Sequence, residues 1–365
     1  MSADKKNGIG VAHDLKNVKI SRDEKAWEVE VSAEIPADVL AKYRDEALKE
    51  MQRDAKLDGF RPGKAPIERI IQIYGEPTIL RHAAEHAIQH ELPELLAAEQ
   101  MLVVQSPRVE TESPEAGKAL KFKARAPLAP TVVLGDYKKI ASKHAGAIEA
   151  TVSDEEHKEA LTHLRRERAR IDKMEAGIEA QKAAEEARAL TEGDLPALDD
   201  LFVQSLGYES TEKFSEALRT NIKTEKEMQE REKRRATILD ALVVDAEIHF
   251  PALMREYELD EMEGRLRSDV ERLGTTLEQY LSQVKKTREE LRKEWHEPAE
   301  KRAKVRLVLA EIANKEKIEP DQKRLEQEMG HAKQRYHSAD EQSLRAHIAH
   351  ALRNEATLEF LEKRL

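Results

Sequence analysis

Residues 211–247 contain neither glycine nor proline, and this absence constrains the fold more than any other feature of the chain. Nothing in the stretch breaks a helix, so the reading is a single helix of ~55 Å at 1.5 Å rise per residue. Gly207 and Pro251 bracket it. Around residues 223–235 the charges alternate in sign, as on a solvated helix surface. The far end is apolar, with Ile238, Leu239, Leu242 and Val243. A helix of this length sets the scale for the second half of the chain. There Leu253, Tyr257, Met262, Leu266, Val270 and Leu273 mark another helix, and further helices are expected near 277–284, 289–295, 301–314 and 344–365. Thr287-x-x-Glu290 reads as a capping box, and Pro320 as the start of a helix. Beyond Ser153 no clear strand alternation is seen.

The first half has a different period. Trp27, Val29, Val31, Ala33 and Ile35 alternate with polar residues, as in a half-buried strand. Pro36 opens a helix with Val39, Leu40, Tyr43, Ala47 and Met51 on one face, and Asp58-Gly59 stops it. Pro66 opens a second helix with Ile67, Ile70, Ile71 and Tyr74, and a third is expected over 78–99, interrupted by Pro93. Strand patterns return at Leu102-Val103-Val104 and at Leu120, Phe122, Ala124 and Ala126. Residues 173–194 are mostly Ala, Glu and Lys without an aromatic, the pattern of a solvated helix or linker. The expected class is α+β, mostly α. The expected division is a polar tail (1–14), an α+β domain (15–142), a connecting segment with a charged linker (143–194) and an elongated helical body (195–365).

Composition supports thin layers. Charged residues make up 37% of the chain and aromatics 4%, with 2 Trp, 7 Tyr, 6 Phe and 8 Met in 365 residues. One deep core of that size needs more large apolar side chains, whereas helical layers each burying one stripe do not. A net charge of −10 argues against coating free nucleic acid. The absence of Cys excludes disulfides, thiolate metal sites and cysteine nucleophiles. The polar opening Met1-Ser2-Ala3-Asp4-Lys5-Lys6 has no apolar run after it, and no apolar stretch reaches ~18 residues. The expectation is a cytoplasmic protein with no membrane contact.

The sharpest local feature is Gly59-Phe60-Arg61-Pro62-Gly63-Lys64-Ala65-Pro66. Two glycines and two prolines forbid a continuous helix and favour a tight turn. One reading is an exposed tip, an aromatic flanked by two cations that suits a ribonucleoprotein surface. The other is a helix connector whose Phe folds inward. A nucleotide cradle does not fit, because Gly59 and Gly63 are separated by only three residues and Ala65 stands where a phosphate loop needs Ser or Thr. His82, His86 and His90 share a helix face. They do not form H-E-x-x-H and spread over two turns, so a polar face is the reading, with no metal or other cofactor expected. No nucleophilic triad stands out, and no catalytic residue is assigned. The apolar stripes of the later helices can serve as core or as an adaptable binding surface.

Gly59-Phe60-Arg61-x-Gly63-x-x-Pro66, set between two amphipathic helices, resembles the ribosome-binding motif of the trigger factor family. The similarity continues through Tyr74-Gly75, the region of Val109, residues 151–172, Leu195-Pro196-x-Leu198-Asp199, Pro251, Leu277-x-x-Tyr280-Leu281 and Leu307-x-Leu309-x-x-Ile312-Ala313. It covers most of residues 15–365. The resemblance implies that Gly59, Phe60, Arg61, Pro62, Gly63, Lys64 and Pro66 dock on the large ribosomal subunit at the tunnel exit. Pro62 stands where some members carry Lys. It also implies a helical, SurA-like body that shields nascent and unfolded polypeptides without ATP, and a homodimer off the ribosome. Most members insert an FKBP-like prolyl isomerase domain between the segments matching Asp172 and Leu195. Here that gap holds no aromatic and is shorter than the ~40–50 residues a folded domain needs, so no isomerase domain is expected. The alternatives are a trigger-factor-type prolyl isomerase and a ribosome-independent holdase of the SurA type.

Overall fold

The computed structural model describes residues 13–57, 60–61, 63–144, 146, 148–335 and 340–363. They form two compact units, each discontinuous in sequence: residues up to 135 with 243–314, and residues 136–242 with 315–363.

The first unit starts with β1 (Lys16–Asp23) and β2 (Glu28–Ile35), followed by α1 (Ala37–Asp54), α2 (Ile67–Tyr74), α3 (Glu76–Ala98), β3 (Arg108–Thr111), β4 (Leu120–Pro127) and β5 (Thr131–Val133). Strands β1 to β4 make an antiparallel sheet in the order β1-β2-β4-β3. In the β2–β4 register Val31 lies opposite Ala124, and Ile35 opposite Leu120. The period-two pattern therefore turns Val29, Val31, Ala33, Ile35, Leu120, Phe122, Ala124 and Ala126 to one face. That face is covered by Val39, Leu40 and Ala47 of α1 and by Ala83, Ala87, Leu92 and Leu95 of α3. The opposite face carries the charged residues of the same strands.

Helix α3 runs through Pro93 without a break, against the interruption expected from the sequence. The ring is exposed, so the carbonyl it displaces can meet water, while Leu92, Leu95 and Leu96 on the other side are buried against the sheet. That packing outweighs the ~3 kcal/mol helix penalty of proline. Glu91, on the same turn, is buried, accepting from the Tyr43 hydroxyl at 2.8 Å and the Asp14 N–H at 2.7 Å. Leu102-Val103-Val104 contributes only a bridge, Val103 to Leu128, rather than a strand. Strand β1, which the alternation did not announce, forms the sheet edge.

The second unit holds α4 (Tyr137–His144), α5 (Asp154–Glu175), α6 (Ala180–Ala189), α7 (Asp200–Ser205) and most of α8 (Thr211–Asp245). Helix α8 is the uninterrupted helix read from the missing Gly and Pro. The chain then forms β6 (Glu247–His249), α9 (Ala252–Arg272), α10 (Leu277–Gln283), α11 (Arg288–Glu294) and α12 (His296–Lys315). Strand β6 departs from the expected absence of strands past Ser153. It pairs antiparallel with β5, and His249 stacks on Trp27 at 4.6 Å between ring centroids. The Trp27 indole N–H also donates to the Ala129 carbonyl at 2.8 Å. These contacts bring residues 243–314 into the same unit as the sheet. The capping box at Thr287 is present, and so is one at Ser153.

Helix α9 buries only part of its apolar stripe, with Val270 in the core and Leu266 packed beside it. Glu258, Leu259, Glu263 and Val270 are buried, while Leu253, Tyr257 and Leu273 are exposed. Glu258 pairs with Arg302 at 3.1 Å and Arg306 at 2.9 Å; Glu263 pairs with Arg288 at 2.8 Å and Arg292 at 3.1 Å. Each carboxylate is thus neutralised by guanidinium groups from α11 or α12, which makes its burial tolerable.

The chain ends in α13 (Gln322–Arg335) and α14 (Glu341–Glu362) in the second unit. Arg231 and Arg235 of α8 both fork onto Glu362, at 2.6 and 2.8 Å, and Arg235 also reaches Glu355 at 2.7 Å. Burial alone would raise the Glu362 carboxyl, but hydrogen bonds and charge from Arg231 and Arg235 hold it down to about 2, from 4.5. The folded value lies below the unfolded one, so this contribution is complete above pH 4.5 and is lost as pH falls from 4.5 through about 2. Glu362→Gln is expected to lower the apparent melting midpoint by about 2–4 °C at pH 7 and to flatten its decline between those pH values. Thermal melts followed by circular dichroism at a series of pH values check both.

Candidate functional site

The connection between α1 and α2 is held at its base and open at its tip. Ala55, Ala65 and Ile70 are buried with Leu48 and Ile79, and Met51, Leu57 and Ile71 pack around them. The Gln52 amide donates to the Ala65 carbonyl at 2.6 Å, tying the returning strand of the loop to α1. Two turns follow: the Phe60 N–H bonds to the Leu57 carbonyl at 3.1 Å, and the Lys64 N–H to the Arg61 carbonyl at 3.0 Å. Gly63 has φ +75°, a left-handed conformation that costs a side chain about 1–2 kcal/mol. Pro66 then sets the first turn of α2.

This geometry puts Phe60, Arg61 and Lys64 outside. Phe60 is 41% exposed, so the inward-folded connector is not what forms. The Arg61 and Lys64 side chains are exposed and have no partner among the described residues. The tip therefore presents an aromatic edge and two uncommitted cations, able to stack and to bind carboxylate or phosphate. Pro66 is also exposed and Gly63 half-buried. Gly59 and Pro62, assigned to the same site from the sequence, lie outside the described residues.

The three histidines of α3 have separate partners. His86 meets Glu50 of α1 at 3.1 Å, His82 lies 3.8 Å from Glu85, and His90 lies 3.8 Å from both Glu91 and Glu94. Among the described residues no cluster of three His, Asp or Glu is arranged to hold a metal ion.

Residues 173–194 form a packed element rather than a loose linker. Helix α6 buries Ala183 and Ala187 in the same region as Ala169 of α5, and Lys173 pairs with Glu186 at 2.7 Å. The Arg165 guanidinium donates to the carbonyls of Leu195 and Pro196, both at 2.8 Å, and of Glu192 at 3.1 Å. The α5–α6 hairpin is thereby closed onto the chain that leads into α7. It contains no strand and no aromatic-lined cavity of the kind an isomerase pocket needs.

Several large apolar side chains are exposed in the first unit, among them Leu102, Val104, Leu253 and Tyr257. The sequence did not distinguish these from core residues. The signal that separates them is the acids Glu258 and Glu263 on α9, whose Arg partners claim the buried face. No helix among the described residues is long and apolar enough to cross a membrane.

Comparison with known proteins agrees with these features. The model of the bacterial trigger factor protein matches residues 16–164, and the model of the trigger factor C-terminus matches residues 210–363. The trigger factor of Caldicellulosiruptor saccharolyticus is 25% identical over 345 residues, covering 75% of this chain and 78% of that protein. The trigger factor of Streptomyces avermitilis is 26% identical over 365 residues, covering 81% and 78%. A solved structure, described as promiscuous substrate recognition in folding and assembly activities of the trigger factor chaperone, superposes with a TM-score of 0.54 at 17% identity. It covers 96% of this chain and all of that one, and so supports the shared fold. With two family segments separated only by residues 165–209, which hold the end of α5, α6 and α7, the chain belongs to the bacterial trigger factor family, in a form without an isomerase domain between them.

Proposed function

We propose that this chaperone works in the cytoplasm at the ribosomal tunnel exit, holding nascent and unfolded polypeptides without ATP. The observation that carries this reading is the anchored loop with Phe60 41% exposed beside Arg61 and Lys64, which have no partner among the described residues. An aromatic and an arginine at the centre of a small contact are the residue types that dominate interface energies. Residues 15–142 act as the docking domain and 195–365 as the polypeptide-binding body, joined through 143–194. Tethering raises the local concentration of weak apolar binding surfaces where chains emerge. Reversible covering of apolar segments lowers the population that can aggregate.

Ribosome pelleting tests the docking. Phe60→Ala/Arg61→Ala is expected to weaken co-sedimentation roughly tenfold or more, with unchanged circular dichroism because both side chains are exposed. Equal pelleting of variant and wild type would remove the basis for the loop's role. A second measurement addresses chemistry. Refolding of a test protein limited by prolyl isomerisation, which takes tens to hundreds of seconds unaided, is expected to keep its uncatalysed rate when the chain is added, while aggregation of a denatured client is suppressed. A large acceleration would assign an isomerase site elsewhere in the chain.

A further inference from the structure

The returning side of the loop between α1 and α2 is fastened at one polar point. Ala65 is 3% exposed. Its carbonyl precedes Pro66 and lies outside the hydrogen-bonded turns of α2, whose first acceptor is the Pro66 carbonyl. Among the described residues the Ala65 carbonyl accepts one hydrogen bond, from Nε2 of Gln52 at 2.6 Å. Only the NH2 end of an amide side chain donates, so this acceptor sets the orientation of the group. Gln52 is half-buried near the end of α1. The anchor therefore comes from a helix and not from the loop it holds.

The rest of the loop cannot orient itself. Its two turns, Leu57 to Phe60 and Arg61 to Lys64, are each closed by a single backbone bond inside the loop. Those bonds give the tip its shape, while its direction is set by the two ends. The outgoing end continues from α1, where the Ala55 N–H bonds to the Met51 carbonyl at 2.9 Å. The returning end passes close to the same helix, since a Cβ on Gly63 would lie 3.8 Å from the Cα of Arg53. There the Gln52 amide and the apolar seat of Ala65 hold it down. A buried carbonyl without a donor is unfavourable. Loss of the amide would turn the Ala65 carbonyl towards water and release Arg61 and Lys64 from their common direction with Phe60.

We infer that Gln52 is a positioning residue for docking: its amide holds the loop so that Phe60, Arg61 and Lys64 are presented together before contact. It acts through the loop rather than as a contact. The inference rests on the docking reading above for its partner, and it places a determinant of docking outside the eight-residue motif. The amide raises the fraction of molecules whose loop is competent, and apparent affinity scales with that fraction. An ordered loop also has less freedom to lose on binding.

The test uses the full chain in solution and bacterial ribosomes on a biolayer interferometry sensor. Gln52→Met keeps the length of the side chain and removes the donor. It is expected to slow association about fivefold and to leave dissociation within about twofold of wild type. Phe60→Ala/Arg61→Ala removes contact groups and is expected to speed dissociation instead. Gln52→Lys restores a donor and is expected to recover most of the association rate. In the Phe60→Ala/Arg61→Ala background, Gln52→Met is expected to add no further loss, because the groups it positions are gone. Amide hydrogen exchange on the free chain reads the loop without ribosomes: peptides spanning 57–66 should exchange faster in Gln52→Met, with those from β2 and α3 unchanged. Wild-type association by Gln52→Met, a loss confined to dissociation, or a full additional loss in the tip variant would each overturn the inference. So would slower association with exchange raised across β2 and α3 and no recovery by Gln52→Lys, which would make Gln52 a general stability residue. The two readings fail separately. Weak binding by Phe60→Ala/Arg61→Ala with wild-type kinetics for Gln52→Met overturns the positioning role alone. Wild-type binding by both overturns the docking reading, and the positioning role with it.

Discussion

Burial of Glu258 and Glu263 on α9 is the interaction on which the orientation of this helix depends. A carboxylate removed from water without partners costs far more than an exposed leucine. Arg302 and Arg306 on α12, with Arg288 and Arg292 reaching from the α11 side, supply the partners that let both acids face inward. Once they do, the helical period forces Leu253 and Tyr257 outward. The exposed apolar surface is thus a consequence of charge pairing, not of a shortage of places to bury it. Hydrophobic pattern alone leaves open which residues of the stripe are core and which are surface.

The loop between α1 and α2 shows the complementary arrangement, in which local chain chemistry decides and tertiary contact only steadies. Gly63 and Pro66 dictate where the backbone turns, and Ala65 is small enough to be buried beneath the turn with Ala55 and Ile70. The base is filled by small and aliphatic groups, and Phe60 stays at the surface. That is why a motif of eight residues can be read from sequence as one object, whereas the α9 surface cannot.

Legibility follows the range of the interactions involved. The helix over 211–245, the starts at Pro36 and Pro66, the Thr287 cap and the alternation of β2 and β4 are all set by residues within a few positions of one another. All were visible in the sequence. Strand β6 is three residues long and exists through its pairing with β5, more than a hundred positions earlier. No local pattern could announce it. Pro93 misled for the same reason: its local penalty is real, but the sheet beneath α3 outweighs it. Edge strand β1 has only Val18 and Ile20 to signal it, and its remaining residues read as a polar approach to β2.

The short α5–α6 hairpin also bears on the proposed handling of clients. An inserted domain brings its own cavity, and removing it would ordinarily leave two unsatisfied chain ends. Here Arg165 closes the junction by donating to three carbonyls, at 192, 195 and 196, so these backbone groups are paired without any insert. Alanine contacts between α5 and α6 let the two helices approach closely, and Lys173 with Glu186 covers their edge. The shortened connection is therefore structurally complete. The proposed holding of clients then draws on surfaces of the remaining segments, among them the apolar side chains exposed on α9 in the first unit.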